Sequence, residues 1–230
     1  MRAGRETATL GGMESGPREG GRRGLLVNGG DGPSAELLRA AARAVDVVAA
    51  ADSGLVPVLD AGLVPDLVVG DMDSLPDRSL LDRVPAERVR IFPTDKDETD
   101  TEIGMRFLAE DGCTEITIAG GGGGRIDHLF GVAQLFERAA PPVRWMTANA
   151  DIYLVGRSAE FSGWVGSTVS VFPVGARCAR MKSEGLRWPL DGLEFRRGFG
   201  GISNVVTGTP LRISVGTGRL LVVRSLAGVA

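Results

Sequence analysis

Residues 66–75 read DLVVGDMDSL, a short apolar run that ends at Gly70 and then sets Asp71 and Asp73 one residue apart. Two ionised carboxylates about 5 Å apart repel by roughly 3 kcal/mol at an effective dielectric near 20, a large fraction of a domain's net stability. The pair calls for a cation. Hard oxygen ligands so arranged suit Mg²⁺, which takes one or two protein carboxylates, keeps waters and completes its shell with substrate phosphates. The same residues also fit a turn in which Asp73 or Ser74 caps the chain before Pro76. A second run, TDKDETDTE, sets five acids between Asp95 and Glu102 with Lys96 as their only base. Thr99 and Glu102 have capping-box spacing, which puts Asp100 at the first position of a helix. One cap does not need five acids, whereas a metal-bound polyphosphate would use both the acids and the lysine. A third stretch, AGGGGGRIDH, places Gly120 to Gly124 before a helix. Amides free of side chains at a helix N-terminus form an anion cradle, to which Arg125 adds a charge-assisted contact. No Gly-Lys-Ser/Thr follows, so this is not a P-loop. His128, the only histidine, stands beside Asp127 at that helix start and reads as a polar site residue rather than an obligatory base.

These groups need a scaffold that brings them to one place. From Leu25 the chain alternates short apolar runs (LLVN, VDVVAAA, DLVVG, RVRIF, EITIAG, VRWMT) with helical ones (SAELLRAAARA, TEIGMRFLAE, RIDHLFGVAQLFERA). Apolar runs without polar alternation indicate strands covered on both faces, and their alternation with helices indicates a doubly wound, mostly parallel α/β sheet over residues 24–150. The clearest helix, 126–138, is predicted to bury Ile126, Leu129, Phe130, Ala133 and Phe136 on one face. After Asp151 the helical pattern stops, and STVSVFPV, LEFRR, LRISV and RLLVVRSL read as a small all-β sandwich over 151–230, with VGTG at 215–218 as a hairpin. Residues 1–23, rich in Gly, Arg and Glu, are predicted to be a disordered tail, and Met13 is an alternative start. In an open parallel sheet, ligands bind beyond the carboxyl ends of the strands. Asn28, Asp52, Asp71 and Asp73, Lys96 and Asp100, and Gly120 to Gly124 all follow strands, so all fall along that edge.

Composition narrows the partners. The chain has 230 residues, 43% of them hydrophobic, and a net charge of -3 with no basic block, which argues against a nucleic-acid surface. No apolar stretch approaches the roughly 20 residues of a membrane span, and no signal peptide is evident. Cys113 and Cys178 have neither metal-ligand nor disulfide spacing, which fits reduced thiols in the cytoplasm.

Taken together and in this order, VVGDMDSL, DKDETDTE and GGGGGRIDH, followed by SEGLRWPLDG and GGISNVV, resemble the thiamine pyrophosphokinase family. The resemblance covers nearly everything after the tail. It implies transfer of a pyrophosphoryl group from ATP to the hydroxyethyl oxygen of thiamine with Mg²⁺, giving thiamine diphosphate and AMP. By the same resemblance Asp71, Asp73 and Asp100 organise metal and phosphates, and Asp52, Lys96, Thr99, Arg125 and Asp127 contact the nucleotide. Asn28, Gly122, Gly123, Gly124 and His128 are grouped with those contacts. Trp188, Ser203 and Asn204 stand where the family holds thiamine, in a site shared between the subunits of a homodimer. Two residues depart from the family pattern: Ser53 in ADSG, where glycine is usual, and Met72 between the two aspartates, where phenylalanine is usual.

Other readings compete. Gly30, Gly32 and Ala35, with Asp52 about 20 residues later, match the dinucleotide fingerprint of an NAD-dependent enzyme but leave the acidic clusters unexplained. A phosphatase with Asp71 as nucleophile and Asp73 as acid/base fits the local pattern alone. A nucleotide-binding regulator without turnover is tested by whether AMP appears. A pyrophosphokinase acting on a pterin alcohol would share the nucleotide half, and GLRW and SN in the β region favour thiamine over it.

Overall fold

The computed structural model describes residues 21–226, and the chain divides into two compact units after Leu154. In the first unit, strands β1 (Arg22–Asn28), β2 (Val47–Ala51), β3 (Leu67–Gly70), β4 (Val89–Ile91), β5 (Cys113–Ala119), β6 (Arg144–Met146) and β7 (Ala150–Val155) lie in the order β7-β6-β5-β1-β2-β3-β4. All these pairings are parallel except that of β7 on β6. Helices α1 (Ala35–Arg43), α2 (Leu55–Asp60), α3 (Asp100–Glu110) and α4 (Ile126–Leu135) alternate with the strands. Gly24 to Asn28 of β1 are buried without alternation, as a strand covered on both faces must be. The chain steps from β1 to β4 in one direction and then returns to lay β5 on the other side of β1. The order therefore reverses between β1 and β5, and in open α/β sheets ligands bind at such a reversal, beyond the carboxyl ends of the strands.

Several elements differ from the sequence reading. Strand β1 begins at Arg22, within the stretch predicted as tail, because Arg22 pairs with Cys113 of β5 and its guanidinium reaches Asp111 Oδ2 at 2.6 Å. Residues 1–20 of that predicted tail lie outside the described residues. The six-residue helix α2 has no counterpart in the sequence reading; its Pro57 sits in the first turn, where the missing amide costs nothing. The helix predicted over 126–138 ends at Leu135, and its packing is rotated from the predicted face. Val132, Leu135 and Phe136 are buried, while Ile126 and Phe130 are 69% and 61% exposed. The apolar stripe is wider than the contact the helix makes, so its sequence pattern did not locate the buried edge.

The second unit is all β. Strands β8 (Ser158–Phe161), β9 (Thr168–Ala179), β10 (Lys182–Glu184), β11 (Phe195–Arg196), β12 (Gly201–Val205), β13 (Leu211–Ser214) and β14 (Thr217–Ser225) form two antiparallel groups. One runs β11-β9-β14 with β12 also on β9, and the other runs β10-β13-β8. Alternate residues are buried, among them Val169 and Val171 on β9, Leu220 and Val222 on β14, and Leu211 and Ile213 on β13. The expected hairpin at VGTG is absent: β13 pairs with β8 and β10, and β14 pairs with β9. The chain leaves one group at Ser214 and joins the other at Thr217, and the ladder to β9 shifts register at Gly218, whose φ is +82° and where a Cβ would lie 2.1 Å from the Arg177 carbonyl oxygen.

Candidate active site

Three aspartates meet at the crevice edge of the first unit. Asp52 follows β2, Asp71 follows β3 and Asp100 opens α3, and each offers a carboxylate oxygen within 4.8 Å of the others. Lys96 lies between two of them, with its Nζ 3.2 Å from Asp71 Oδ2 and 3.2 Å from Asp100 Oδ1. The approach to Asp100 Oδ1 is an ion pair without hydrogen-bond geometry. That oxygen, together with Asp52 Oδ1 and Asn28 Oδ1, is buried without a hydrogen-bond donor. Buried acceptors are normally satisfied, so such a group marks a place where a cation or a donor is expected.

The local backbone explains how these carboxylates are held. Met72 has a φ of 62° and Asp52 a φ of 47°, both in the left-handed region that side chains rarely adopt. Met72 is 1% exposed and belongs to the core that includes Leu25, Leu55 and Val68. Its burial anchors the turn, and the acids on either side are left to project from it. The Asp73 amide donates to Asp71 Oδ1 at 3.2 Å, while Asp73 itself is exposed and accepts from the Ser74 hydroxyl at 3.0 Å. The three-acid cluster therefore contains Asp52, and Asp73 stands outside it.

Electrostatics separate the three acids. Burial foremost pushes the Asp52 carboxyl above its ordinary range, with the Asp71 and Asp73 charges adding to it and hydrogen bonds from Ser74 and Ser53 pulling the other way. Burial also raises Asp100, against the opposing pull of Lys96. For Asp71 burial is outweighed by the Asp73 amide and Lys96, and its carboxyl is held below the usual range. Lys96 is desolvated too, yet Asp100 and Asp71 raise it and keep its charge.

The glycine loop forms the second wall. The Gly121 amide donates to the Gly29 carbonyl at 2.7 Å, and Asp31 and Gly122 exchange backbone bonds at 2.6 and 3.1 Å. These bonds tie the loops after β1 and β5 together. At Gly123, φ is +65° and a Cβ would lie 2.0 Å from Asp31 Oδ2, so any other residue would have to displace that carboxylate and take a strained backbone conformation. Beyond it α4 begins, with Arg125 as its N-cap residue. The Arg125 guanidinium donates to both oxygens of Asp127, at 3.2 and 2.5 Å. The cleft between these walls has a volume of about 870 Å³. It is lined by Asn28, Asp52, Lys96, Thr99 and Asp100 together with Gly122, Gly123, Gly124, Arg125, Asp127 and His128. Thr99 is engaged in a full capping box with Glu102, so its hydroxyl serves the start of α3. Sequence reasoning missed Gly131, Gln134 and Arg138, which line the same cleft from α4 and the turn after it. Their recurrence every three to four residues after Asp127 was the available signal.

In the second unit, Trp188 and Asn204 are joined, and Ser203 precedes Asn204 on β12. Asn204 is 7% exposed; its amide donates to the Trp188 carbonyl at 2.7 Å and its Oδ1 accepts from the Trp188 amide at 3.2 Å. Ser203 has a φ of 58°, and its amide donates to Ser170 Oγ. The Trp188 indole is 55% exposed, with the Arg187 guanidinium 5.0 Å from its ring centroid.

Comparison with known proteins agrees with this geometry. Residues 38–144 match the family described as thiamin pyrophosphokinase, catalytic domain, and residues 158–220 match thiamin pyrophosphokinase, vitamin B1 binding domain. The thiamin pyrophosphokinase of Geobacillus thermodenitrificans is 26% identical, with 88% of this chain and 97% of that one covered and a TM-score of 0.71. Thiamine pyrophosphokinase from Bacillus subtilis, at 24% identity, covers 89% of this chain and 99% of its own, with a TM-score of 0.75. The yeast enzyme shares the fold at 18% identity, covering 91% and 88%, with a TM-score of 0.67. None of the curated proteins compared with the chain matches it. Among the described residues no helix is long and apolar enough to cross a membrane.

Proposed function

The chain belongs to the thiamin pyrophosphokinase family and is a diphosphotransferase, and from that premise we propose that it uses ATP and Mg²⁺ to convert thiamine into thiamine diphosphate and AMP. The observation that carries this reading is the meeting of Asp52, Asp71 and Asp100 within 4.8 Å, beside a glycine cradle where the strand order reverses. Hard carboxylate oxygens, two of them buried without a donor, fit a divalent cation, so Asp52, Asp71 and Asp100 would hold Mg²⁺, with Asp73 next to them on the exposed side. When bound, Mg²⁺ supplies neutralisation of the phosphate charge.

The chain's own residues account for the rest of the chemistry. The thiamine hydroxyl oxygen attacks the β-phosphorus, the bond from that phosphorus to the α,β-bridging oxygen breaks, and AMP leaves with that oxygen while the hydroxyl proton is released. Such a step needs charge stabilisation and in-line positioning more than covalent help. Gly123 and Gly124, at the start of α4, offer amides to phosphate oxygens. Lys96 remains cationic between two acids and can reach the same phosphates, and Arg125 adds a second cation. In the second unit, the exposed Trp188 face, clipped at its backbone by Asn204, suits a flat heteroaromatic ring.

The dinucleotide reading at Gly30 to Ala35 has no support beside this. There the Asp31 amide is spent on Gly122 O at 2.6 Å rather than left for a pyrophosphate. We place the protein in the cytoplasm as a homodimer, a reading supported by two buried, unpaired cysteines and by the family resemblance. The test is AMP release with ATP, Mg²⁺ and thiamine against a thiamine-free control. AMP should appear only with thiamine, and Asp71→Asn should lower the rate by about 10³-fold or more. Thiamine-independent AMP formation, or full activity in that variant, would reject the assignment.

A further inference from the structure

The glycine loop is held from behind by a strand that does not line the cleft. Gly120, its first residue, has both backbone groups fixed by β6: its amide donates to the Met146 carbonyl at 2.9 Å, and its carbonyl accepts from the Trp145 indole Nε1 at 2.7 Å. Trp145 is 4% exposed, so this bond is shielded from water. The chain has little freedom here. Gly120 has a φ of +88°, and a Cβ there would lie 2.2 Å from the Asn28 carbonyl oxygen. Thr147, two residues after Trp145 and itself buried, closes on the loop from the same side, since a Cβ on Gly122 would meet its Cβ at 3.0 Å. Past these anchors, the amides of Gly123 and Gly124 have no backbone partner among the described residues and lie at the cleft.

We propose that Trp145 is a positioning residue for the phosphate-binding loop, its indole N–H fixing the Gly120 carbonyl so that the amides beyond it stay aimed at the nucleotide. The assignment rests on the nucleotide reading of the cleft. A loop with five successive glycines would otherwise lose much conformational entropy when a phosphate orders it. Fixing the peptides on either side of Gly120 removes part of that cost before the ligand arrives.

The test is calorimetric titration of the full chain with ATP and Mg²⁺, and separately with thiamine. Trp145→Phe keeps an aromatic ring but removes the donor. Its ATP Kd should rise about tenfold, the equivalent of roughly 1.4 kcal/mol for a buried carbonyl left unpaired, while the thiamine Kd stays unchanged. Trp164→Phe, at a similarly buried position in the second unit, is the control for lost stability alone and should leave the ATP Kd as it was. If Trp145→Phe does not fold, site-specific replacement of Trp145 by its benzothienyl isostere, which lacks only the N–H, makes the same comparison. An unchanged ATP Kd, or equal weakening of ATP and thiamine, overturns the assignment. Failure of the unaltered protein to bind ATP overturns the nucleotide reading and takes this inference with it.

Discussion

Asp52 shows why a residue's role can depend on where it is buried rather than on its neighbours in sequence. The sequence grouped Asp71 with Asp73 because they are one residue apart, yet Met72 turns inward between them and the cluster closes with Asp52 from another strand. An acid in this position carries a cost when no cation is present. Burial raises its folded pKa, so the protonated form is favoured by folding. Below the ordinary aspartate range the group is neutral in both states and costs nothing, and as pH rises through the raised folded pKa the folded state loses stability. Asp52→Asn removes that loss. Without divalent ions the variant should melt about 2–4 °C above the unaltered protein at pH 7 to 8, for a gain of about 1 kcal/mol, and the difference should shrink to nothing near pH 3. Adding Mg²⁺ at pH 7.5 should raise the melting temperature of the unaltered protein and not that of the variant, whose AMP formation should fall about 10²-fold. A variant less stable at pH 7.5 without metal would remove Asp52 from the cation site.

At the scale of the element, local signals were legible and long-range ones were not. The Thr99 and Glu102 spacing announced the capping box that the structure contains, because a cap is decided within four residues. That cap also explains why Thr99 is committed to the helix: its hydroxyl donates to Glu102 Oε2 at 2.8 Å, and Glu102 receives Arg138 from beyond the end of α4. By contrast, no local feature of VGTG distinguishes a hairpin from a crossing between sheets, since the partners of β13 and β14 lie far away in the chain. The wide apolar stripe of α4 failed for the same reason, because which part of it is covered depends on distant strands. The cap sets the position of Asp100, the first residue of α3, so its loss should be felt in the site. Thr99→Ala should cost about 1 kcal/mol of stability and weaken ATP binding several-fold, and Thr99→Ser should restore both. If Thr99→Ala lost stability without any change in ATP affinity, the cap would have no part in placing Asp100.

Across the whole molecule, each unit has its own charge balance and its own task. Acidic residues outnumber basic ones in residues 21–154, and basic residues outnumber acidic ones in 155–226. A surplus of acids suits the cation proposed for the first unit. The exposed Trp188 stands in the other unit, which matches the vitamin B1 binding family. Donor and acceptor binding should therefore be separable. Trp188→Ala should raise the thiamine KM about tenfold while leaving the ATP Kd unchanged, a loss of the size expected when a cation–π face is removed, and Asp71→Asn should leave thiamine binding intact. Fluorescence gives an independent readout, because Trp145 and Trp164 are 4% and 1% exposed while Trp188 is 55% exposed. Acrylamide should quench chiefly the red-edge emission of Trp188, and saturating thiamine should protect it. Protection by ATP alone, or a change in ATP affinity in Trp188→Ala, would mean that the indole serves the nucleotide and that the two units do not divide the substrates in this way.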